Sequence, residues 1–135
     1  MQPEYNLYDR SSFDGPLRDL CMREEIGVIT YFALAKGFLS GKYRSEADLG
    51  KSPRGAGIGK YLDARGKKIL AALDAVSSRN AVSQAEVALA WIIAQPGVTA
   101  PIASATSVEQ TESLVRAARL QLSAADIKEL DEASS

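Results

Sequence analysis

Tyr31-Phe32-Ala33-Leu34-Ala35-Lys36-Gly37-Phe38-Leu39-Ser40-Gly41-Lys42-Tyr43 begins as the end of the β-branched run Val28-Ile29-Thr30 and passes straight into a segment carrying two glycines and a lysine. A strand that ends in a glycine-rich loop with a lysine is one way to present backbone N–H groups and a cation to a phosphate. The same residues also read as a buried strand followed by a flexible loop with a solvated lysine. Both readings share the strand, and the strand decides the class. Val28 to Phe32 is a short apolar run of the kind buried on both faces of a parallel sheet.

Upstream, Gln2 to Tyr8 has the aromatic and polar residues of a strand end with no strand before it. Phe13-Asp14-Gly15-Pro16 reads as a helix start, with Asp14 as N-cap and Leu17, Leu20 and Cys21 at i, i+3, i+4 spacing; the helix runs to about Glu25 and Gly27 ends it. Downstream, Ser45 to Gly59 shifts to glycine, lysine, serine and proline, a composition expected to form a mobile loop or a lid rather than a regular element. Leu62, Ile69, Leu70, Leu73 and Val76 then share one helical face. Ser83-Gln84-Ala85-Glu86 reads as a capping box, opening a helix with Val87, Ala90, Trp91 and Ala94 as its buried stripe. Pro96-Gly97 ends it, Val98 to Ala103 forms a second buried-type strand, and Thr106-Ser107-Val108-Glu109 caps a helix with Leu114, Val115 and Ala118 on its apolar side. Ser123-Ala124-Ala125-Asp126 caps a last helix through Ile127 and Leu130.

Strands alternating with helices in this way predict an α/β chain built from parallel βα units, organised as a single domain over 1–135. Only two convincing strands and a stub are present, too few for an independent sheet covered on both faces.

Composition excludes several functions. The 135 residues are 46% hydrophobic and 24% charged, with 16 basic and 17 acidic side chains and a net charge of −1, so no electrostatic footprint for nucleic acid or an anionic membrane is present. No apolar run approaches a spanning helix, and Met1-Gln2-Pro3-Glu4 does not resemble a secretory signal, so a cytoplasmic protein is expected. Cys21 reads as a small core residue. The sequence contains no histidine, which removes histidine-based zinc sites, Ser-His-Asp triads and Cys-His dyads.

Five blocks, in order, carry a family resemblance: Gln2-Pro3-Glu4-Tyr5-Asn6-Leu7; Tyr31 to Tyr43; Trp91 with Gly97-Val98; Pro101-Ile102-Ala103-Ser104-Ala105-Thr106 with Glu109-Gln110; and Leu122-Ser123. Together they resemble the C-terminal part of an aldo-keto reductase. The resemblance implies a partial (β/α)8 TIM barrel, truncated to the end of strand six, strands seven and eight, and their helices. It also implies NADPH as cofactor and small carbonyl compounds as substrates. Gln2 matches the glutamine that hydrogen-bonds the nicotinamide carboxamide, and Tyr31 the aromatic residue that stacks on the nicotinamide ring. Phe32, Leu34, Ala35 and Gly37 match the loop lining the pyrophosphate, and Lys42 the lysine at its end. Arg54 lies where the family's long loop brings a cation to the 2′-phosphate. Ser104, Ala105 and Thr106, with Gln110 one turn into the helix, match the pocket for the 2′-phosphate and adenine.

The chain departs from the family pattern at three positions. Ser113 and Leu114 stand where many relatives carry Glu and Asn against the adenine, and Ala105 stands where others carry Lys or Arg. The family's catalytic Asp, Tyr, Lys and His come from early strands that these residues do not match, so no catalytic residue is assigned here. Turnover is expected to be weak or absent, with Tyr5, Tyr8 and Tyr31 the only phenols near the matched pocket. The alternative reading is a non-catalytic barrel fragment that assembles with itself, as a dimer or tetramer, or with a complementary N-terminal half. That assembly would bury the residues around Val28, Ile29 and Ile102.

Overall fold

The computed structural model describes residues 1–51, 53 and 55–135. In chain order these form α1 (Pro16–Arg23), β1 (Ile29–Thr30), α2 (Ala64–Asn80), α3 (Gln84–Ile93), β2 (Ala100–Pro101), α4 (Val108–Arg119) and α5 (Ala124–Ser134). β1 and β2 pair in parallel, Ile29 beside Ala100 and Thr30 beside Pro101. Glu4 bridges to Tyr31 in the same direction, and the amides of Ile29 and Tyr31 donate to the carbonyls of Met1 and Pro3, each at 3.0 Å. The N-terminal stub is therefore the third line of a parallel array, with β1 in the middle.

The array is covered on one face only, which corrects the expectation of strands buried on both. Val28 and Thr30 are fully buried, while Ile29 is 43% and Tyr31 37% exposed. Side chains alternate across a strand, and the helices lie on the side toward which Val28 and Thr30 point. Among the described residues nothing covers the other side. Ile102, 41% exposed, leaves β2 open in the same way.

Under the helices the core is built on aromatic rings. Tyr5 stacks on Trp91 with ring centroids 5.5 Å apart and meets Phe13 edge-on at 5.2 Å. Phe38 stacks on Tyr61 at 5.1 Å. The expected face of α2 is present: Ile69, Leu70, Leu73 and Val76 are all buried, and Asp63 caps the helix by accepting from Gly66 N at 2.7 Å. In α3, Val87, Ala90 and Trp91 are buried as expected, whereas Ala94 is the exposed C-cap. In α4 only Ala117 is fully buried and Val115 is 46% exposed, because this helix flanks the open edge of β2 and has no neighbour on its far side among the described residues.

Two caps differ from the sequence reading. Gly15, not Asp14, precedes α1. Asp14 instead accepts from the Tyr5 hydroxyl, Arg10 and Arg18, tying the stub to the helix. Ser83 accepts from Glu86 N at 3.2 Å, but the Glu86 carboxylate turns away from the cap to Ser113 and Arg116. The full capping box lies at Ser123 and Asp126. Burial pushes the Asp126 carboxyl up, but hydrogen bonds from Asn80 and Arg79 outweigh it and hold the group below the ordinary carboxylate range.

Around the glycine-rich stretch, where no regular element was expected, the described residues form short 3₁₀ turns, Glu46–Lys51, Gly55–Gly57 and Gly59–Tyr61. Ile58 and Tyr61 are fully buried and pin this segment to the core. Apolar side chains spaced among the glycines supply the anchoring that the glycines cannot. Cys21 is buried and free, in keeping with its reading as a core residue.

Candidate functional site

Two adjoining clefts open where β1 and β2 end, and they share Leu34, Gly37 and Ser104. The first, of about 520 Å³, is lined on one side by Tyr31, Phe32 and Lys36 and on the other by Ile102 and Ala103. The second, of about 430 Å³, has Ser40 and Lys42 on one wall and Thr106, Gln110, Ser113 and Leu114 on the other.

The β1 side of the clefts is held by a turn with unusual backbone. Phe32, Ala35 and Lys36 adopt φ of 53°, 48° and 59°, and Gly37 a φ of 101°. A non-glycine residue in the left-handed region costs roughly 1 kcal/mol or more and persists only where its surroundings enforce it. Here the enforcement comes from Asn6, fully buried, whose Nδ2 donates to the Phe32 carbonyl at 3.0 Å while its Oδ1 accepts from the amides of Tyr8 and Asp9. The turn is knotted internally: the amides of Ala35, Gly37, Leu39 and Gly41 donate to loop carbonyls. These four N–H groups are therefore not offered to an anion, contrary to the simplest reading of a glycine-rich loop. Gly37 serves a different purpose. A Cβ there would meet Lys42 Cε at 3.4 Å and its Nζ at 3.7 Å, ordinary contacts, so it is the φ of 101° rather than space that favours glycine here.

The β2 side is built on the start of α4. Ser107 caps the helix by accepting from Gln110 N at 3.1 Å. Gln110 Oε1 accepts from the Thr106 amide at 2.7 Å and from its hydroxyl at 3.1 Å. This is not the reciprocal capping-box bond, and it leaves the Gln110 side-chain nitrogen as a donor beside the cleft. The first amides of α4 have no acceptor within the helix, and the helix dipole adds positive potential at this end.

Of the residues singled out from sequence, Tyr31, Phe32, Leu34, Gly37, Lys42, Ser104, Thr106 and Gln110 line the clefts. Ala35 is fully buried beneath the turn. Ala105, half-buried, and Gln2, exposed on the stub strand, line neither cleft. Arg54 lies outside the described residues. Tyr5 and Tyr8 also line neither cleft. Burial and a bond to Asp14 push the Tyr5 phenol well above its ordinary range, and donation to Asp63 raises that of Tyr8.

The sequence reading missed Lys36 and Glu86. Lys36 Nζ sits 5.4 Å over the Phe32 ring and adds a second cation to the cleft rim; its position immediately before Gly37 was the available signal. Glu86 was hidden by its own motif, because a Ser-x-x-Glu pattern assigns the carboxylate to the helix cap. Among the described residues no cluster of His, Cys, Asp or Glu suits a metal ion, and no helix is long and apolar enough to cross a membrane.

A parallel array with helices on one face, and clefts at the C-terminal ends of its strands, is the βα arrangement that a (β/α)8 barrel repeats. The family model described as "Aldo/keto reductase family" matches residues 1–135, and the chain belongs to that family. It is 28% identical over 119 residues to the Schizosaccharomyces pombe aldo-keto reductase yakc, whose name specifies NADP(+), covering 84% of this chain and 34% of that protein. It is 29% identical over 139 residues to the L-glyceraldehyde 3-phosphate reductase of Escherichia coli, covering 97% of this chain and 40% of that protein. An oxidoreductase of Mycobacterium tuberculosis is 41% identical over 104 residues, 72% of this chain and 30% of that protein. Among solved structures, a thermostable aldo-keto reductase, Tm1743, in complex with the inhibitor epalrestat matches with a TM-score of 0.72 at 22% identity, over 98% of this chain and 38% of that one. The chain thus spans about three tenths to two fifths of the length of these relatives.

Proposed function

We propose that this chain carries the nucleotide side of an NADPH-dependent aldo-keto reductase-type oxidoreductase acting on small carbonyl compounds, with weak or no turnover of its own. The observation that carries the reading is the convergence of two βα loops, far apart in sequence, on one cleft: Gly37 and Lys42 from the first, Ser104, Thr106 and Gln110 from the second. The donor set suits a phosphorylated dinucleotide. Lys42 and Lys36 supply positive charge, Gln110 and the start of α4 supply neutral donors, and the exposed ring of Tyr31 supplies a face for an aromatic heterocycle. When bound, the cofactor supplies a hydride to the carbonyl carbon. The chain's residues bind and orient it: Tyr31 packs against the nicotinamide ring, Lys42 meets the pyrophosphate, and Ser104 and Thr106 hold the 2′-phosphate. No proton donor is assigned in this chain, since Tyr5 and Tyr8 are committed to Asp14 and Asp63.

Calorimetric titration tests the reading. NADPH is expected to bind at micromolar to millimolar concentration and NADH at least about tenfold more weakly. Lys42→Ala is expected to weaken NADPH by a further ~10- to 100-fold, as loss of a hydrogen bond to a charged group implies. Equal affinity for the two nucleotides, or no heat at millimolar NADPH, refutes it.

The uncovered face of the parallel array favours a second property, self-association. Ile29 and Ile102 are each more than a third exposed on or beside that face, and apolar side chains beside open strand edges invite pairing. Val28, expected at the same contact, is fully buried within the chain and plays no part in it. A dimer or tetramer is expected by light scattering across a wide dilution range, unless a complementary N-terminal half covers the face. A persistent 14.4 kDa species that unfolds cooperatively refutes it.

A further inference from the structure

Consecutive side chains of a strand point to opposite faces, yet Tyr31 and Phe32 both line the first cleft. The cause is the backbone of Phe32, whose φ of 53° breaks the alternation just past β1. The two rings meet at 67° with centroids 5.1 Å apart, and both are exposed to the cleft. Rings at so steep an angle form a corner: a flat heterocycle stacked on one meets the other edge-on, and both geometries are favourable. The two are held differently. The Tyr31 amide donates to the Pro3 carbonyl at 3.0 Å and its carbonyl accepts from the Tyr5 amide at 3.3 Å, so the stub strand fixes Tyr31. The Phe32 carbonyl accepts from the Ala35 amide within the turn and, from outside it, from Asn6 Nδ2 at 3.0 Å. Asn6 is fully buried. Its Nδ2 also donates to Asp9 Oδ2 and its Oδ1 accepts from the Tyr8 and Asp9 amides, so the side-chain amide is satisfied in one orientation and cannot turn without breaking these bonds.

We propose that Asn6, by holding the Phe32 carbonyl, makes Phe32 a second aromatic wall beside Tyr31 and so sets how tightly the nicotinamide end of the dinucleotide is held. The inference rests on the nucleotide reading above and adds to it one ring and the residue that positions it. It moves Phe32 from the pyrophosphate, where the family resemblance puts it, to the nicotinamide. The left-handed backbone of Phe32 is costly for a residue with a Cβ, and without the Asn6 bond the turn relaxes and carries the ring out of the corner. Tyr31, tied to the stub, stays. Asn6 is thus a positioning residue that touches no part of the ligand.

The experiment compares NADPH with 2′-phospho-ADP-ribose, which lacks only the nicotinamide, titrated into the full chain by calorimetry. NADPH is expected to bind about tenfold more tightly, the size of two aromatic contacts. Phe32→Ala, at an exposed position, is expected to bring the ratio to about threefold. Asn6→Asp, which keeps the shape and the acceptor but removes the donor, and Asn6→Ser, which falls short of the carbonyl, are expected to do the same, with 2′-phospho-ADP-ribose held within about twofold of its original affinity. The double variant Asn6→Ser with Phe32→Ala is expected to fall no further, because both changes remove the same ring. Circular dichroism reports folding of every variant. A merely structural role for Asn6 lowers both affinities together and leaves their ratio unchanged. Equal affinities in the unsubstituted chain, a ratio unmoved by Phe32→Ala or by the Asn6 variants, a further fall in the double variant, or failure of both Asn6 variants to fold overturns the inference and leaves the nucleotide reading standing. Failure of both ligands to bind the unsubstituted chain overturns the two together.

Discussion

Trp91→Ala is expected to remove about 3–5 kcal/mol of stability, the range for truncating a fully buried large aromatic residue. Folded domains have only about 5–15 kcal/mol in total, so most of the margin is lost. Trp91 is completely buried and joins the stub strand, Arg10 and α5. Its ring stacks on Tyr5 of the stub strand and lies beneath the Arg10 guanidinium at 5.2 Å. Its Nε1 donates to Asp131 of α5 at 2.9 Å. Truncation opens a cavity between the stub, α3 and α5 and deprives Asp131 of its best donor, leaving it a 3.5 Å contact with Arg10. Trp91 is the only tryptophan, so fluorescence disappears with it, and urea unfolding must be followed by far-ultraviolet circular dichroism. A loss below about 1.5 kcal/mol shows that the site collapses around the smaller side chain, contrary to this account.

Gly66→Ala is expected to destabilise by about 3 kcal/mol or more, although the same change in an open helix gains up to ~1 kcal/mol. The sign reverses because Gly66, buried in the first turn of α2, has the chain folded directly against it. A Cβ there would fall 1.7 Å from the Tyr61 carbonyl oxygen and 3.1 Å from Phe38 Cζ. The nearest obstacle is backbone, so no rotamer change relieves it. Tyr61 must move, and with it the Phe38 stack, the Tyr61 hydroxyl bond to Asp9 at 2.9 Å and the anchor of the 3₁₀ segment. Gly50→Ala is the control: nothing lies within 4 Å of a Cβ at that position, and the change is expected to fall within about 0.5 kcal/mol of zero. Equal unfolding midpoints for the two variants in urea contradict the close approach at Gly66.

Local sequence signals determined most of the helices and their order. Ser83, Ser107 and Ser123 each cap the helix they precede, because a cap is a contact between residues two or three apart and is written in adjacent letters. The buried face of α2 followed from its period for the same reason. The matched blocks around Tyr31 to Tyr43 and Ser104 to Gln110 also named eight of the residues that line the two clefts, through family resemblance rather than periodicity.

Tertiary structure alone decided the rest, since the deciding contacts join residues distant in the chain. A run such as Val28 to Phe32 is apolar at every position and does not say which face is covered; the one-sided helix layer decides that, burying Val28 and Thr30 and exposing Ile29 and Tyr31. Asp14 and Glu86 both stand at good capping positions in sequence. Each is instead drawn to arginines and a hydroxyl brought close by folding, Asp14 to Tyr5, Arg10 and Arg18, and Glu86 to Ser113 and Arg116. A carboxylate exchanges one neutral amide for charged donors when the fold supplies them, because charge-assisted bonds are the stronger.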